Sequence, residues 1–204
     1  MRLNVVDVSA RFGPRALFEK VSFEAHSGEV VAVVGPSGSG KSTLLGIASG
    51  LLAPDAGTVT VTYGDCAVSR AIAAWCAWVP QGAASLGART ALDNAMLGGL
   101  GRGFSRRESQ RHADCALRQV GLVARRTTRA ALLSGGELQR LAIARALCFD
   151  RPFLFADEPT GSLDATNTRG VFELFRAAAD EGTAVVLATH DLSVVGQCDQ
   201  VVQL

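Results

Sequence analysis

The chain has 204 residues, which suits one domain, and 48% of them are hydrophobic, enough to bury a core. That fraction excludes a disordered chain, and the formal net charge of +1 gives no overall attraction to nucleic acid or to an anionic membrane. The five cysteines form no C-x-x-C pair, so we expect reduced thiols in a cytosolic protein and no zinc site. The sequence shows neither a signal-peptide core nor an apolar run of membrane-spanning length, so work at a membrane would need a partner.

The predicted elements alternate between strands and helices. Strands are predicted at residues 3–8, 21–25, 30–34, 58–62, 75–79, 153–156, 183–189 and 200–204, from apolar and β-branched runs. Helices are predicted from residue 43, within 89–119 with a break at the glycines around residue 100, after residue 134, and over 165–179. This alternation predicts an α/β fold with a mostly parallel sheet flanked by helices.

A glycine-rich loop follows the strand at 30–34 and matches G-x-x-x-x-G-K-[ST] at every fixed position. Its residues are Gly35, Pro36, Ser37, Gly38, Ser39, Gly40, Lys41 and Ser42, and Thr43 continues into the helix. The glycines let successive N–H groups point into one concavity, where the helix N-terminus adds roughly half a positive charge. Lys41 can reach terminal phosphates, and the Ser42 hydroxyl is a candidate Mg²⁺ ligand. The alternative is an ordinary Gly/Ser-rich turn, but the flanking strand and helix favour a nucleoside triphosphate site.

Two other strands end in ionisable residues. Asp157 and Glu158 follow the strand at 153–156, and His190 follows the strand at 183–189. We expect these side chains near the phosphate loop, because the carboxyl ends of parallel strands meet at one edge of a sheet. Asp157 is then a candidate carboxylate for Mg²⁺, Glu158 a candidate base for attacking water, and His190 a candidate γ-phosphate contact. The alternatives are a surface acid pair and a structural histidine.

A second glycine-bearing helix start is predicted at residue 134. Ser134 and Glu137 have the spacing of a capping box, which marks a helix N-terminus. Gly135 and Gly136 stand in its first turn, and a glycine weakens a helix interior by roughly 1 kcal/mol. A requirement for bare backbone would explain them, and a second anion cradle is the natural candidate. An ordinary helix cap is the alternative.

The segment between these sites is strongly basic. It holds two acids, Glu108 and Asp114, and eight arginines: Arg102, Arg106, Arg107, Arg111, Arg118, Arg125, Arg126 and Arg129. A solvated helical lobe explains such charges, and a lobe that faces a partner or lipid headgroups is the functional alternative.

Taken together, these motifs resemble the nucleotide-binding subunit of ATP-binding cassette (ABC) transporters. The matching parts are residues 35–42, Gln81, residues 133–139, residues 153–158, the run Ser162, Leu163 and Asp164, and His190, in the order of that family. The L-S-G-G-E-x-Q-R signature at 133–140 is the most specific of them. The resemblance implies a P-loop NTPase fold with a small antiparallel β lobe and an inserted helical subdomain. We expect a single domain, 1–204, with its catalytic core at 1–81 and 130–204 and its helical subdomain at about 82–129.

The resemblance also implies a role for each matching residue. Phe12 would stack on adenine, with a core phenylalanine as the alternative, and Gln81 would contact Mg²⁺ and the attacking water. Asp157 would be the Mg²⁺-associated carboxylate, Glu158 the catalytic base and His190 the γ-phosphate switch. The implied cofactors are therefore ATP and Mg²⁺.

The resemblance further implies that a complete site needs two chains. Ser134, Gly135, Gly136 and Glu137 would contact the ATP held by the other subunit, and the loop residue Asp164 would link the two sites. The expected partners are a second copy or a similar ATPase subunit and an integral membrane permease, with no nucleic acid. The chain would then be peripheral, on the cytoplasmic side of the cell membrane.

The run at residues 156–164 resembles the subgroup that serves lipoprotein release, macrolide or peptide efflux, and cell division. An ATPase that powers export or a mechanical step is therefore the leading hypothesis. A soluble ABC ATPase of the DNA-repair or translation-factor type and a non-enzymatic regulatory module are the alternatives. The segment 57–81 is shorter than usual, and the sequence ends at Leu204 without a closing turn, so we expect altered permease fit and subunit contacts.

Overall fold

The computed structural model of the protein describes residues 1–64, 66–68, 71–148, 151–161 and 163–204. The strands are β1 Arg2–Phe12, β2 Arg15–His26, β3 Val30–Val34, β4 Ala56–Tyr63, β5 Cys66–Val68, β6 Cys76–Val79, β7 Phe153–Asp157, β8 Ala184–Ala188 and β9 Gln200–Gln203. The helices are α1 Lys41–Ala48, α2 Ala91–Leu100, α3 Arg106–Gln119, α4 Gly135–Leu147, α5 Ala165–Asp180 and α6 Leu192–Val195.

A parallel sheet in the order β6-β7-β8-β3-β9 forms the centre of the fold. Every one of its strands was predicted within two residues of its observed ends, and β3 matches the prediction at both ends. Its strands are parallel, so β3, β6, β7 and β8 all end at the same edge. The segments that leave this edge carry the phosphate loop, Gln81, Glu158 and His190.

The parallel sheet is buried on both faces, which explains why its strands are apolar at nearly every position. Side chains alternate between two hydrophobic clusters along each strand. In β3, Val30 and Ala32 belong to the cluster shared with α2 to α5, whereas Val31 and Val33 belong to the cluster shared with α1 and β1. The strand β3 is therefore held by apolar packing on both of its faces, and this packing fixes the point from which the phosphate loop leaves the sheet.

A second, antiparallel sheet in the order β2-β1-β4-β5 confirms the predicted antiparallel lobe. The hairpin of β1 and β2 is longer than predicted and turns at Gly13, whose φ of 57° is left-handed. This extension places Phe12 at the turn end of the hairpin. The short strand β5 was not predicted, because three residues give no readable periodicity.

The helices α2, α3 and α4 pack on one another beside the sheet. The break near residue 100 was predicted from its glycines, and each of α2 and α3 starts with a capping box, at Thr90 and Ser105. The four-residue α6 was missed. The division into a core and a helical subdomain remains a prediction. Among the described residues, no helix is both long enough and apolar enough to cross a membrane.

Candidate functional site

An open cavity of about 870 Å³ lies at the carboxyl edge of the parallel sheet. The predicted residues that line it are Phe12, Gly35, Pro36, Ser37, Gly38, Gly40, Lys41, Ser42, Thr43, Gln81, Glu158 and His190. Leu17, Gly82 and Gly161 line it as well and were not predicted. The structure thus brings together most of the candidate residues, which come from four separate strand ends and one hairpin.

The phosphate loop depends on glycine at two kinds of position. Gly38 and Gly40 have φ of 78° and 98°, in the left-handed region that L side chains rarely adopt. A Cβ on Gly40 would also lie 2.9 Å from the ring of Phe18. Behind the loop, α1 buries Leu44 and Leu45 completely, and each such side chain contributes roughly 1.5–3 kcal/mol. The loop is therefore shaped by its own glycines and held by the core beneath it.

The first turn of α1 carries no acceptor of its own. Its N-cap, Gly40, has no side chain to accept from the backbone N–H groups, and the first turn contains no acidic residue. Unpaired donors and the positive end of the helix dipole are therefore left at the cavity. The buried Lys41 side chain curls over the loop, because its Nζ donates to the carbonyl oxygens of Gly35 and Pro36 at 3.0 and 3.4 Å. The combination is suited to a polyphosphate anion.

Glu158 stands between two cationic or hydrogen-bonding groups. Its Oε1 lies 3.3 Å from Lys41 Nζ, and its Oε2 lies 2.8 Å from His190 Nδ1. The Glu158 side chain is 12% exposed, whereas that of His190 is 67% exposed. Glu158 also has a φ of 45°, a strained conformation that its backbone N–H stabilises by donating to Ala188 O at 3.0 Å. A phosphate that approached Lys41 would compete with this carboxylate.

The acidic residue before it, Asp157, is buried at the end of β7, and its Oδ1 has no hydrogen-bond partner among the described residues. A buried carboxylate oxygen without a donor is costly unless a cation approaches it. Ser42 and Gln81 line the neighbouring cavity and offer a hydroxyl and an amide oxygen. These oxygen donors fit Mg²⁺, which prefers hard ligands and retains several waters. Among the described residues, no group of three or more His, Cys, Asp or Glu side chains is arranged to hold a metal ion.

Phe12 lies at the mouth of the cavity rather than in the core. It is 79% exposed, so the alternative of a core phenylalanine is wrong. Leu17, across the hairpin turn, lines the same mouth. The placement of Phe12 follows from the strand register, in which Arg11 pairs with Ala16 and Phe12 with Arg15. That register could not be predicted from the sequence.

The predicted capping box at the start of α4 is confirmed. The Ser134 N–H donates to Glu137 Oε2 at 2.9 Å, and the Glu137 N–H donates to Ser134 Oγ at 3.3 Å. Arg125 Nε adds a third bond to Glu137 at 3.0 Å. The bond from the Ser134 backbone, then Arg125, lowers the pKa of Glu137 below its usual range. None of the residues 134–137 lines the cavity.

Gly135 and Gly136, in this turn, differ in the space that a side chain would have. A Cβ on Gly135 would meet nothing within 4 Å, whereas a Cβ on Gly136 would lie 2.9 Å from Asn167 Oδ1. Asp164 caps α5, because its Oδ1 accepts from the Asn167 N–H at 2.8 Å, and this bond lowers the pKa of Asp164. The starts of α4 and α5 therefore meet through Asn167, outside the cavity. Ser162, in the same motif, lies outside the described residues.

The loop that begins at Gln81 is anchored from two helices. Asn94 of α2 accepts from the Leu86 N–H at 2.7 Å and donates to Leu86 O at 3.1 Å. Arg145 of α4 donates to Ala84 O at 2.8 Å, and burial lowers its pKa. No pattern in the sequence indicates either anchor, since both join segments through single side chains.

This fold and site define a P-loop nucleotide-binding cassette, and comparisons with known proteins agree. A family model described as ABC transporter matches residues 18–161. The chain belongs to the ABC transporter family, as an ATP-binding and ATP-hydrolysing cassette.

The chain is similar in sequence to several named proteins. It is 39% identical to a lipoprotein-releasing system ATP-binding protein, LolD 2, of Caulobacter vibrioides, over 94% of this chain and 87% of that protein. It is 42% identical to LolD of Gluconobacter oxydans, over 89% of this chain and 82% of that protein. A solved ATP-binding cassette, a dimer bound to ADP and Pi, superposes with a TM-score of 0.84 at 28% identity, covering 99% of this chain and 94% of that one. The relatives favour a transporter subunit over a soluble ABC ATPase.

Proposed function

We propose that this chain is a Mg²⁺-dependent ATPase subunit that works as a dimer on an integral membrane permease, on the cytoplasmic side of the cell membrane. The observation that carries the proposal is the position of Glu158. Its carboxylate lies at the carboxyl edge of the sheet, between Lys41 and His190, in the cavity lined by the phosphate loop. Relatives named for lipoprotein release support the export or mechanical subgroup as its setting.

The phosphate loop binds the triphosphate of ATP. Backbone N–H groups from Gly38 to Thr43 surround the phosphates, and the uncapped first turn of α1 adds its dipole. Lys41 leaves Glu158 and neutralises terminal phosphate oxygens. This exchange replaces one ion pair by another, so the buried ammonium is never left without an anion. Phe12 and Leu17, at the mouth of the cavity, contact the adenine ring of ATP.

Ser42, Asp157 and Gln81 would hold the Mg²⁺ ion. When bound, the ion would supply positive charge against the negative charge that develops on the phosphate oxygens. The unpartnered, buried Oδ1 of Asp157 supports this assignment, because a cation nearby would remove the cost of its burial.

Glu158, once released from Lys41, accepts a proton from the water that attacks the γ-phosphate. Its burial beside His190 keeps the carboxylate within reach of the cavity, and its backbone bond to Ala188 fixes the direction of the side chain. His190 is largely exposed and donates to the γ-phosphate. Gln81 orients the attacking water from the opposite side of the cavity.

The second chain supplies Ser134, Gly135, Gly136 and Glu137. These residues face away from the cavity of their own chain, and Gly135 has open space in front of it. An ATP held by the partner fits there, with Asp164 next to the contact through Asn167. The helical subdomain, about residues 82–129, then moves with the permease, and the hydrogen bonds between Asn94 and Leu86 carry this movement to the loop that begins at Gln81.

Replacement of Glu158 by glutamine tests the proposal. Glu158→Gln keeps the size of the side chain but removes the base, so phosphate release should fall at least about 100-fold while ATP binding is retained. Phosphate release and ATP affinity are measured on the full chain, with and without the permease that co-purifies with it.

Glu173→Gln, an exposed change on α5, is the matched control and should keep wild-type turnover. Turnover near the wild-type rate in Glu158→Gln would remove Glu158 from the proposed role. Equal rates with and without Mg²⁺ would remove the metal.

A further inference from the structure

The solvent face of α3 carries a straight row of arginines. Four positions of this helix are buried: Ser109, Ala113, Ala116 and Leu117. At about 100° per residue, Arg107, Arg111 and Arg118 lie within about 40° of one another, on the side opposite the buried positions. They span about 16 Å along the helix. We call these three residues the arginine face.

No ion pair among the residues that the structure describes involves the arginine face, since no carboxylate oxygen of theirs lies within 4.0 Å of Arg107, Arg111 or Arg118. The pKa of Glu108 is lowered mainly by its hydrogen bonds with Ser105, and the charge of Arg111 adds to this at longer range. The two nearby acids are engaged elsewhere: Asp114 pairs with Arg126 at 2.9 Å, and Glu108 caps its own helix at Ser105.

The basic charge is also concentrated in this part of the sequence. Residues 102–129 hold eight arginines against two acids, a formal +6 in a chain whose total is +1. Electrostatic attraction to an anionic surface would therefore orient the molecule with this side toward it.

Apolar side chains lie at the amino end of the arginine face. Leu100, at the end of α2, is 42% exposed, and Phe104, just before α3, is 36% exposed. The guanidinium of Arg102 lies 5.4 Å from the centre of the Phe104 ring. Exposed aliphatic and aromatic groups beside basic residues are the composition of surfaces that rest in a lipid interface.

We propose that the arginine face binds the phosphate headgroups of anionic lipids. The row is the crest of an exposed helix, which suits a flat lattice of phosphates better than a peptide, since a peptide needs a groove for its side chains. Guanidinium groups bind phosphate oxygens with two parallel hydrogen bonds. The inference uses the membrane location given under the proposed function, and it adds a direct contact between this chain and the bilayer.

Vesicle co-sedimentation of the full chain tests this contact. The probes are vesicles of phosphatidylcholine alone and of phosphatidylcholine with roughly one third phosphatidylglycerol. We expect binding to the mixed vesicles only, and loss of that binding at about 1 M salt, where charges are screened over about 3 Å. The triple variant Arg107→Gln, Arg111→Gln, Arg118→Gln should weaken binding about 100-fold, roughly fivefold for each arginine.

A second triple variant, Arg15→Gln, Lys20→Gln, Arg169→Gln, removes the same charge from other exposed positions and should bind like the wild type. Basal ATP hydrolysis should be unchanged in both variants, so a failure of lipid binding is distinguishable from a failure of the proposed function. Equal loss in the two variants, or wild-type binding to neither vesicle, would overturn the proposal. The proposal would also be overturned if loss of the arginine face weakened binding to the permease while the wild type bound no vesicles.

Discussion

Glycines stand at the amino ends of both α1 and α4, but the backbone N–H groups are left uncapped in α1 and are capped by side chains in α4. At α1, the N-cap Gly40 offers no acceptor and the first turn has no acid. At α4, Ser134 and Glu137 accept each other's backbone N–H groups, and Arg125 completes the cluster. One helix start is left open toward a cavity, and the other is closed by its own side chains.

This difference separates a binding site from a contact surface. Helix donors without an internal acceptor favour an anion, and Lys41 adds a charge that pairs with Glu158 among the described residues. The start of α4 needs no ligand to be stable, so a ligand can only be added to it from outside, over the open face of Gly135. The proposed dimer would use both kinds of helix start, because one chain would hold the nucleotide and the other would cover it.

The largest effect is expected at the open end. Lys41→Ala removes the only full positive charge that contacts the loop carbonyls and Glu158 in the cavity, so ATP affinity should fall at least about 100-fold. Fluorescence titration of the full chain with a labelled ATP analogue measures this loss. Lys20→Ala removes the other lysine of the chain, on the exposed part of β2, and should leave affinity unchanged. Affinity within about threefold of wild type in Lys41→Ala would mean that the α1 end does not need its lysine.

The next prediction separates folding from function at the α4 end. Gly135→Asp adds a carboxylate in open space at a helix N-terminus, which should leave the free energy of unfolding unchanged or raise it by about 0.3–1 kcal/mol. ATP affinity of the isolated chain should also be unchanged, because Gly135 does not line the cavity. Hydrolysis by the assembled complex should fall at least about tenfold, since the new charge faces the phosphates held by the partner.

Gly170→Asp is the control for this variant, because a Cβ at Gly170 also meets nothing within 4 Å and Gly170 lies about one turn further along α5 than Asn167. It should keep hydrolysis. If Gly135→Asp destabilised the isolated chain by several kcal/mol, the start of α4 would have a structural role, and the contrast with α1 would fail.

At the amino ends of α1 and α4, the features that could be predicted depend on residues close together in the sequence. The strand, loop and helix of the phosphate site follow from consecutive residues, and the capping box follows from the spacing of Ser134 and Glu137. Contacts between distant segments could not be predicted in the same way. No pattern in the sequence indicates that Arg145 reaches the Ala84 carbonyl or that Glu158 pairs with Lys41, because these contacts depend on the packing of whole elements. The strained φ of Glu158 has the same origin.

The smallest expected effect tests whether the α4 end is closed by its own charges. The pKa of Glu137 is lowered by the Ser134 backbone bond, so its contribution to stability is present above the ordinary carboxyl pKa and is lost as pH falls through the lowered value. Glu137→Gln should therefore be less stable than the wild type by about 1 kcal/mol near pH 7, a difference that should become smaller at about pH 3. Urea unfolding of the isolated chain at both pH values measures it.

Glu173→Gln, which removes an exposed carboxylate from α5, should show no such pH dependence. A stability difference for Glu137→Gln that stayed constant across this pH range would show that the size of the side chain, and not its charge, closes the helix. The α4 end would then still be self-sufficient, but through packing, and it would lose the electrostatic contrast with the open, cationic end of α1. A difference that becomes smaller in acid instead identifies the carboxylate as the internal anion of α4, in the place that α1 leaves for the nucleotide.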